Sequence, residues 1–243
     1  MRGRSSTTAA VTVRSAEPVL GTSPLGAELL DDPGADPAAV RSSLLHIARA
    51  NRWFGGRSAA LWGLRRALHG IASGSRVSLL DIGTGAGDLP RAAAAWARRR
   101  GFRLDVLGLE RSAVAAALAR ANGVPTVLAD AGALPIRPGS VDIVLLSQVA
   151  HHFAPESAAM LFRSCHSIAR RALVVADLRR SRTATVAFAV GARALRFDTV
   201  TREDGHTSIR RGYTREELTA LLPPGAEVAR RPGWRLVAIW PAG

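Results

Sequence analysis

Lysine is missing from this chain, so all 33 of its basic residues are arginines. It has one cysteine, Cys165, one tyrosine and two methionines. A lone thiol can form neither an internal disulfide nor a cysteine-clustered metal site, so no metal is expected and a reducing, cytoplasmic setting fits. No apolar run approaches the roughly 18 residues of a membrane-spanning helix, so no membrane association is expected. The opening "MRGRSSTTAAVTVRS" has basic residues but no continuous apolar core, which speaks against a secretory leader. A P-loop is excluded too, because its Gly-Lys-Ser/Thr cannot be written without lysine.

What is present is positive charge, a formal +14 over 243 residues. Such a balance invites a nucleic-acid partner. Arginine without lysine, beside abundant alanine, also fits GC-rich codon usage. The densest run, Arg98-Arg99-Arg100, closes a predicted helix before Gly101, where cations complement the helix dipole. No aromatic residues interleave with the arginines to stack bases. A small-molecule partner is therefore preferred to nucleic acid, and nothing indicates the oligomeric state.

The length suits one α/β domain. Residues 1–30 read as a flexible tail and 31–74 as a helical cap. The cap holds a helix entered at Asp36-Pro37 and stopped at Gly55-Gly56, with Val40, Leu44, Ile47 and Ala48 on one face, then a second helix over about 58–69. From residue 75 to 243, apolar runs alternate with helical patterns: "RVSLLDIG", "RLDVLGLE", "PTVLAD", "VDIVLLS" and "ALVVADL" are the strands. Unbroken apolar strands between helices predict a mostly parallel sheet covered on both faces. Beyond Asp177, "TATVAFAVGARALR" reads as helical and "FDTVTREDGHTSIRRGY" as polar and irregular. Thr214 and Glu217 form a capping box, and "AEVARRP" with "WRLVAIW" predicts a closing antiparallel pair.

The segment "SLLDIGTGAGDLP" puts Gly83, Gly85 and Gly87 between the first strand and its helix. Ligands of doubly wound sheets bind there, where glycine permits unusual dihedrals and close approach. The spacing is D-x-G-x-G-x-G, whereas a dinucleotide fingerprint is G-x-G-x-x-G. "DIGTGAG" resembles the first motif of the class I S-adenosylmethionine-dependent methyltransferases, and the resemblance extends over about residues 75–177. It implies a Rossmann-like, seven-stranded α/β fold and S-adenosylmethionine as cofactor. The backbone N–H groups of Gly83, Thr84, Gly85 and Gly87, with the Asp81 carboxylate, would take its amino-acid end. Glu110, ending the second strand, would accept from the ribose hydroxyls. Asp130 and the Ala131 N–H in "LADAGALP" would meet the adenine. Arg111 and Ser147 join this cofactor-binding set, and Asp88 is either a helix cap or a ligand.

Methyl transfer to a phenol or carbon acid needs a proton removed, for which histidine suits neutral pH. His151 and His152, after the fourth strand, and His206, in the late polar segment, are the candidates for that catalytic role. Asn51, Arg52 and Asp177 are candidate acceptor contacts, Asp177 otherwise pairing with Arg179 or Arg180. Cys165 shares a helical face with Leu161, Phe162 and Ile168 and is assigned to the core. The Asn/Asp-Pro-Pro-aromatic motif of nucleic-acid amine methyltransferases is absent, and "SQVAHHF" stands in its place. The chain is most similar to quinone-biosynthesis and natural-product methyltransferases, which act on oxygen or carbon of hydroxyaromatic or polyketide-like acceptors. An RNA methyltransferase and a non-catalytic module of the same fold remain the alternatives.

Overall fold

In the computed structural model, which describes residues 21–242, seven strands form one sheet. They are β1 (Arg76–Ile82), β2 (Arg103–Glu110), β3 (Thr126–Leu128), β4 (Val141–Ser147), β5 (Ala169–Leu178), β6 (Glu227–Arg231) and β7 (Arg235–Pro241). The order is β3-β2-β1-β4-β5-β7-β6; β1 to β5 are parallel, and β7 runs antiparallel to β5 and β6. The order reverses between β1 and β4, where such sheets open a crevice at the strands' carboxyl ends.

Eight helices accompany these strands among the described residues: α1 (Pro37–Trp53), α2 (Gly56–Ala67), α3 (Asp88–Arg99), α4 (Ala113–Ala121), α5 (Pro155–Ile168), α6 (Arg182–Ala194), α7 (Thr199–Arg211) and α8 (Arg215–Ala220). Asp36 caps α1 by accepting the Ala39 N–H at 2.9 Å, with Pro37 in the first turn. Ser112 caps α4 through the Ala115 N–H at 3.3 Å. The Thr214–Glu217 capping box opens α8.

The central strands are largely apolar because both faces of the sheet are covered. Leu80, Ile82 and Leu146 pack with Phe162 and Cys165 of α5, while Leu79, Ile143 and Val174 pack with Leu64 of α2 and Ala93 of α3. Burial pushes the Cys165 thiol up to about 12, so it is an inert core group. Among the described residues no helix is long and apolar enough to cross a membrane.

Two expectations change. The segment expected to be irregular is the helix α7, capped by Asp198 through the Thr201 N–H. Its polar composition hid it, because it is stabilised by packing on α6, where Gly205 leaves room for the Phe188 ring. Of the expected 1–30 tail, residues 1–20 lie outside the described residues. The remainder lies on the core: Thr22 bridges Phe153, the Ser23 N–H donates to His152 O at 2.8 Å, and Glu28 is buried.

Candidate active site

The glycine turn borders a cleft at the carboxyl ends of β1, β2 and β4. Asp81, Gly83, Thr84, Gly85, Glu110, Arg111, Asp130, Ala131 and Ser147 all line it. Gly87 does not. It precedes α3 at φ +75°, and a Cβ there would fall 2.8 Å from Val124 Cγ2, so its bareness serves packing against the end of α4. Gly83 is at φ +67°, and a Cβ on it would fall 2.5 Å from Val149 Cγ2.

The turn's amides face inward, contrary to the role expected of them. Gly83 and Thr84 N–H donate to Leu109 O at 2.8 and 3.2 Å, Gly85 N–H to Glu110 Oε2 at 2.9 Å, and Gly87 N–H to Thr84 O at 2.9 Å. The first three tie the turn to β2, the last closes the turn on itself, and carboxylates remain to meet a ligand. Thr84 Oγ1 donates to Asp81 Oδ2 at 2.8 Å. Burial, reinforced by the charges of Asp88 and Glu110, raises the Asp81 carboxyl to about 7 against that bond. Asp88 is not a cap: it is the first residue of α3, accepts from Asn51 Nδ2 at 3.1 Å, and is also raised by burial. Glu110 accepts the Ser112 N–H at 3.0 Å and Asp130 the Gly132 N–H at 2.6 Å. Arg111 is turned onto the carbonyls of Leu30 and Asp31. Ser147 Oγ is buried without a hydrogen-bond partner among the described residues.

His151 and His152 also line the cleft. His151 is buried, with Nδ1 2.6 Å from Asp177 Oδ1 and Nε2 unpartnered among the described residues. Burial opposes its positive charge, but Asp177, by charge and hydrogen bond, overrides this and raises the His151 pKa. Burial likewise opposes ionisation of Asp177, and His151 with the Leu178 N–H prevails, holding it below the usual range. Asp177 therefore lies beneath the cleft as the partner of His151, not in its wall, and Arg180 pairs with Glu217 instead. His152 Nδ1 is 2.7 Å from Asp31 Oδ1. Glu28, His151 and His152 bring ligand-type atoms within 4.8 Å of one another. The Arg211 guanidinium supplies the positive charge there, with Nη1 3.1 Å from Glu28 Oε1 and 2.8 Å from Asp31 Oδ2.

Asn51 is buried, and Gln148 Nε2 donates to its Oδ1 while Arg235 Nη1 donates to Gln148 Oε1 at 2.8 Å. Gln148 holds φ +58°, an uncommon conformation for a residue with a side chain. Arg52 is exposed and lies over the Trp53 ring, away from the cleft, because α1 turns that face outward. His206 is edge-on to Phe188 and lines neither cavity, since α7 aims it along α6.

A second, aromatic chamber adjoins the cleft and shares Glu28, Leu30, Ile47, Gln148 and Ser208 with it. Phe54, Phe188, Phe197 and Trp234 wall it, with Asp204 and Arg235 as its other charged groups. Burial, with the charges of Glu28 and Asp31, raises Asp204 to about 6 despite the Leu29 N–H. Sequence reasoning missed Gln148, Glu28, Asp204, Arg211 and Arg235. Gln148 alone left a signal, as a polar residue directly after an apolar strand.

Residues 80–172 match the model of a family described as a methyltransferase domain. No curated protein matches the chain. Among solved structures, the plantazolicin methyltransferase BpumL in complex with SAH is 16% identical, with a TM-score of 0.63 over 88% of this chain and 94% of that one. A SAM-dependent methyltransferase from Aquifex aeolicus is 16% identical, with a TM-score of 0.55 over 86% and 99%. The magnesium protoporphyrin IX methyltransferase of Synechocystis PCC 6803, with bound SAH, is 18% identical, with a TM-score of 0.50 over 79% and 85%. At these identities the likeness is one of fold.

Proposed function

We propose that this chain, whose residues 80–172 match a methyltransferase-domain model and whose fold is that of solved S-adenosylmethionine-dependent methyltransferases, is a class I enzyme of that kind, moving a methyl group from S-adenosylmethionine to an oxygen or carbon of a small hydroxyaromatic acceptor. One observation carries the cofactor half. In a chain of net charge +14, the cleft at the glycine turn is lined by Asp81, Asp88, Glu110 and Asp130. S-adenosylmethionine carries a net positive charge, and an acidic cleft in a basic protein fits it. The same lining repels phosphate, which weighs against RNA as the acceptor.

The residues fit the cofactor chemically. Asp81 and Asp88 would hold its ammonium, and the Glu110 oxygens have lone pairs left for ribose hydroxyls. Asp130 and Ala131 would border the adenine, and the orphaned Ser147 Oγ faces the same space. When bound, the cofactor supplies an electrophilic methyl carbon activated by its sulfonium. His151 Nε2, which makes no hydrogen bond among the described residues and lies 3.9 Å from Glu28 Oε1, takes the acceptor's proton, and Asp177 stabilises the resulting imidazolium. The aromatic chamber beside the cleft suits a flat apolar acceptor body. A cytoplasmic setting follows from this reading, since the cofactor is a cytoplasmic metabolite.

Calorimetry with S-adenosylhomocysteine tests the proposal, and no binding at hundred-micromolar ligand would refute it. Glu110→Ala should weaken binding by about 1.5–3 kcal/mol, the scale of hydrogen bonds to a charged group.

A further inference from the structure

The aromatic chamber contains a buried cation that lacks an anion. Arg235, the first residue of β7, is 3% exposed. Its Nε donates to Phe54 O at 3.1 Å and its Nη1 to Gln148 Oε1 at 2.8 Å, both neutral acceptors. Its Nη2 has no hydrogen-bond partner among the described residues, and no carboxylate there forms an ion pair with it. Asp177 is felt only at a distance and is engaged with His151. Burial accordingly pushes the Arg235 guanidinium down to about 10. Removing a guanidinium from water with neutral partners only costs several kcal/mol. Arg211 shows the structural alternative: equally buried, it sits between Glu28 and Asp31.

The other charged groups of the chamber do not cancel Arg235. Glu28 is paired with Arg211, and Asp204 turns both oxygens to the Leu29 N–H at 3.2 Å. Arg235 therefore lines an aromatic cavity as a charge awaiting a ligand.

We infer that Arg235 is the anion-binding group of the acceptor chamber, and that the acceptor is an acidic hydroxyaromatic or enol held there as its oxyanion. The acceptor half rests on the methyltransferase reading; the anion site does not. His151 Nε2 takes the hydroxyl proton and Arg235 pairs with the charge left on oxygen. Bound cofactor would supply the methyl carbon to that oxygen's lone pair, the carbon–sulfur bonding pair staying with sulfur. The methylated product has lost the charge that Arg235 held, which favours its release.

4-Nitrophenol is a direct probe, because its anion absorbs visible light and its neutral form does not. Below its own ionisation midpoint, added protein should bring up the anion's colour. 4-Nitroanisole, which cannot ionise, should bind at least about tenfold more weakly, the scale of one charge-assisted bond. Arg235→Gln should abolish the colour and Arg235→Lys should retain it, with both variants still binding S-adenosylhomocysteine. An Arg235→Gln protein that binds the nucleoside normally and keeps the colour would overturn the inference. So would equal binding of the two probes by the native protein, a result that needs no variant. Tighter binding of benzylammonium, lost in Asp204→Asn, would assign the chamber to cations and overturn it too. Arg235-dependent colour without nucleoside binding would remove the cofactor reading alone; nucleoside binding without colour would remove this inference alone.

Discussion

His151 Nδ1 lies 2.6 Å from Asp177 Oδ1, and both side chains are buried. The pair comes from the 3-10 turn after β4 and the carboxyl end of β5, adjacent parallel strands. It fixes the ring so that Nε2 points away from Asp177.

Asp177→Asn should cost about 1.5–3 kcal/mol of stability through loss of a charge-assisted bond. The His151 pKa is raised in the fold, so its contribution is full below the ordinary histidine value and fades as pH rises through the folded one. That of Asp177 is lowered, so its contribution is present above the ordinary carboxylate value and fades as pH falls. The difference in urea-unfolding stability between the native protein and Asp177→Asn should therefore be greatest between about pH 4 and 6.5 and shrink on either side. His151→Gln in that background should add little, and full additivity would mean that the two side chains do not act together.

Asp81, raised to about 7, makes nucleoside binding depend on pH. A ligand ammonium favours the carboxylate, so binding releases a proton. Affinity for S-adenosylhomocysteine should fall by about tenfold per pH unit below that midpoint and level off above it. Without ligand, Asp81 holds its proton more tightly folded than unfolded, so stability should decline as pH rises from about 4 to 7. Asp81→Asn should stabilise the free protein at pH 8 by about 1–3 kcal/mol while abolishing nucleoside binding. A lower melting temperature in that variant would show that the carboxylate is not a buried cost.

Arg211→Met should destabilise the fold by about 3–5 kcal/mol, because it leaves buried Glu28 without its cation and Asp31 with His152 alone. Half-burial opposes ionisation of Asp31, yet His152 and Arg211 hold it well below the carboxylate range. Hydrogen exchange should rise first in residues 21–31, which Arg211 also holds through Gly26 O.

Gly83→Ala and Gly70→Ala separate backbone strain from overlap. Both glycines have positive φ, +67° and +80°, but a Cβ meets Val149 at the first and nothing within 4 Å at the second. Gly70→Ala should cost about 1–2 kcal/mol and Gly83→Ala measurably more, read from chemical unfolding. Equal losses would mean that the end of β4 yields freely.

Local signals and long-range packing divided this molecule between them. The caps at Asp36, Ser112 and Thr214, the bare turn at Gly83 and Gly85, and the alternation of apolar strands with helices act within a few residues. They could be read in order along the chain, and with them the crevice and its bordering carboxylates. Asp177 could be placed at a strand end but not given its partner, because His151 is 26 positions away and meets it only once β4 and β5 pair.

The arginines make the same point more sharply. Composition announces 33 of them and distinguishes none, since a guanidinium's role depends on what desolvates it. Arg52 stays on the surface, Arg211 joins α7 to a segment some 180 residues earlier, and Arg235 reaches the aromatic chamber from the last strand. Helix α7 was hidden for a related reason: its residues gain their stability from α6 and from Glu28, not from one another. Short-range stereochemistry is written residue by residue in the chain, whereas burial is a property of the assembled fold.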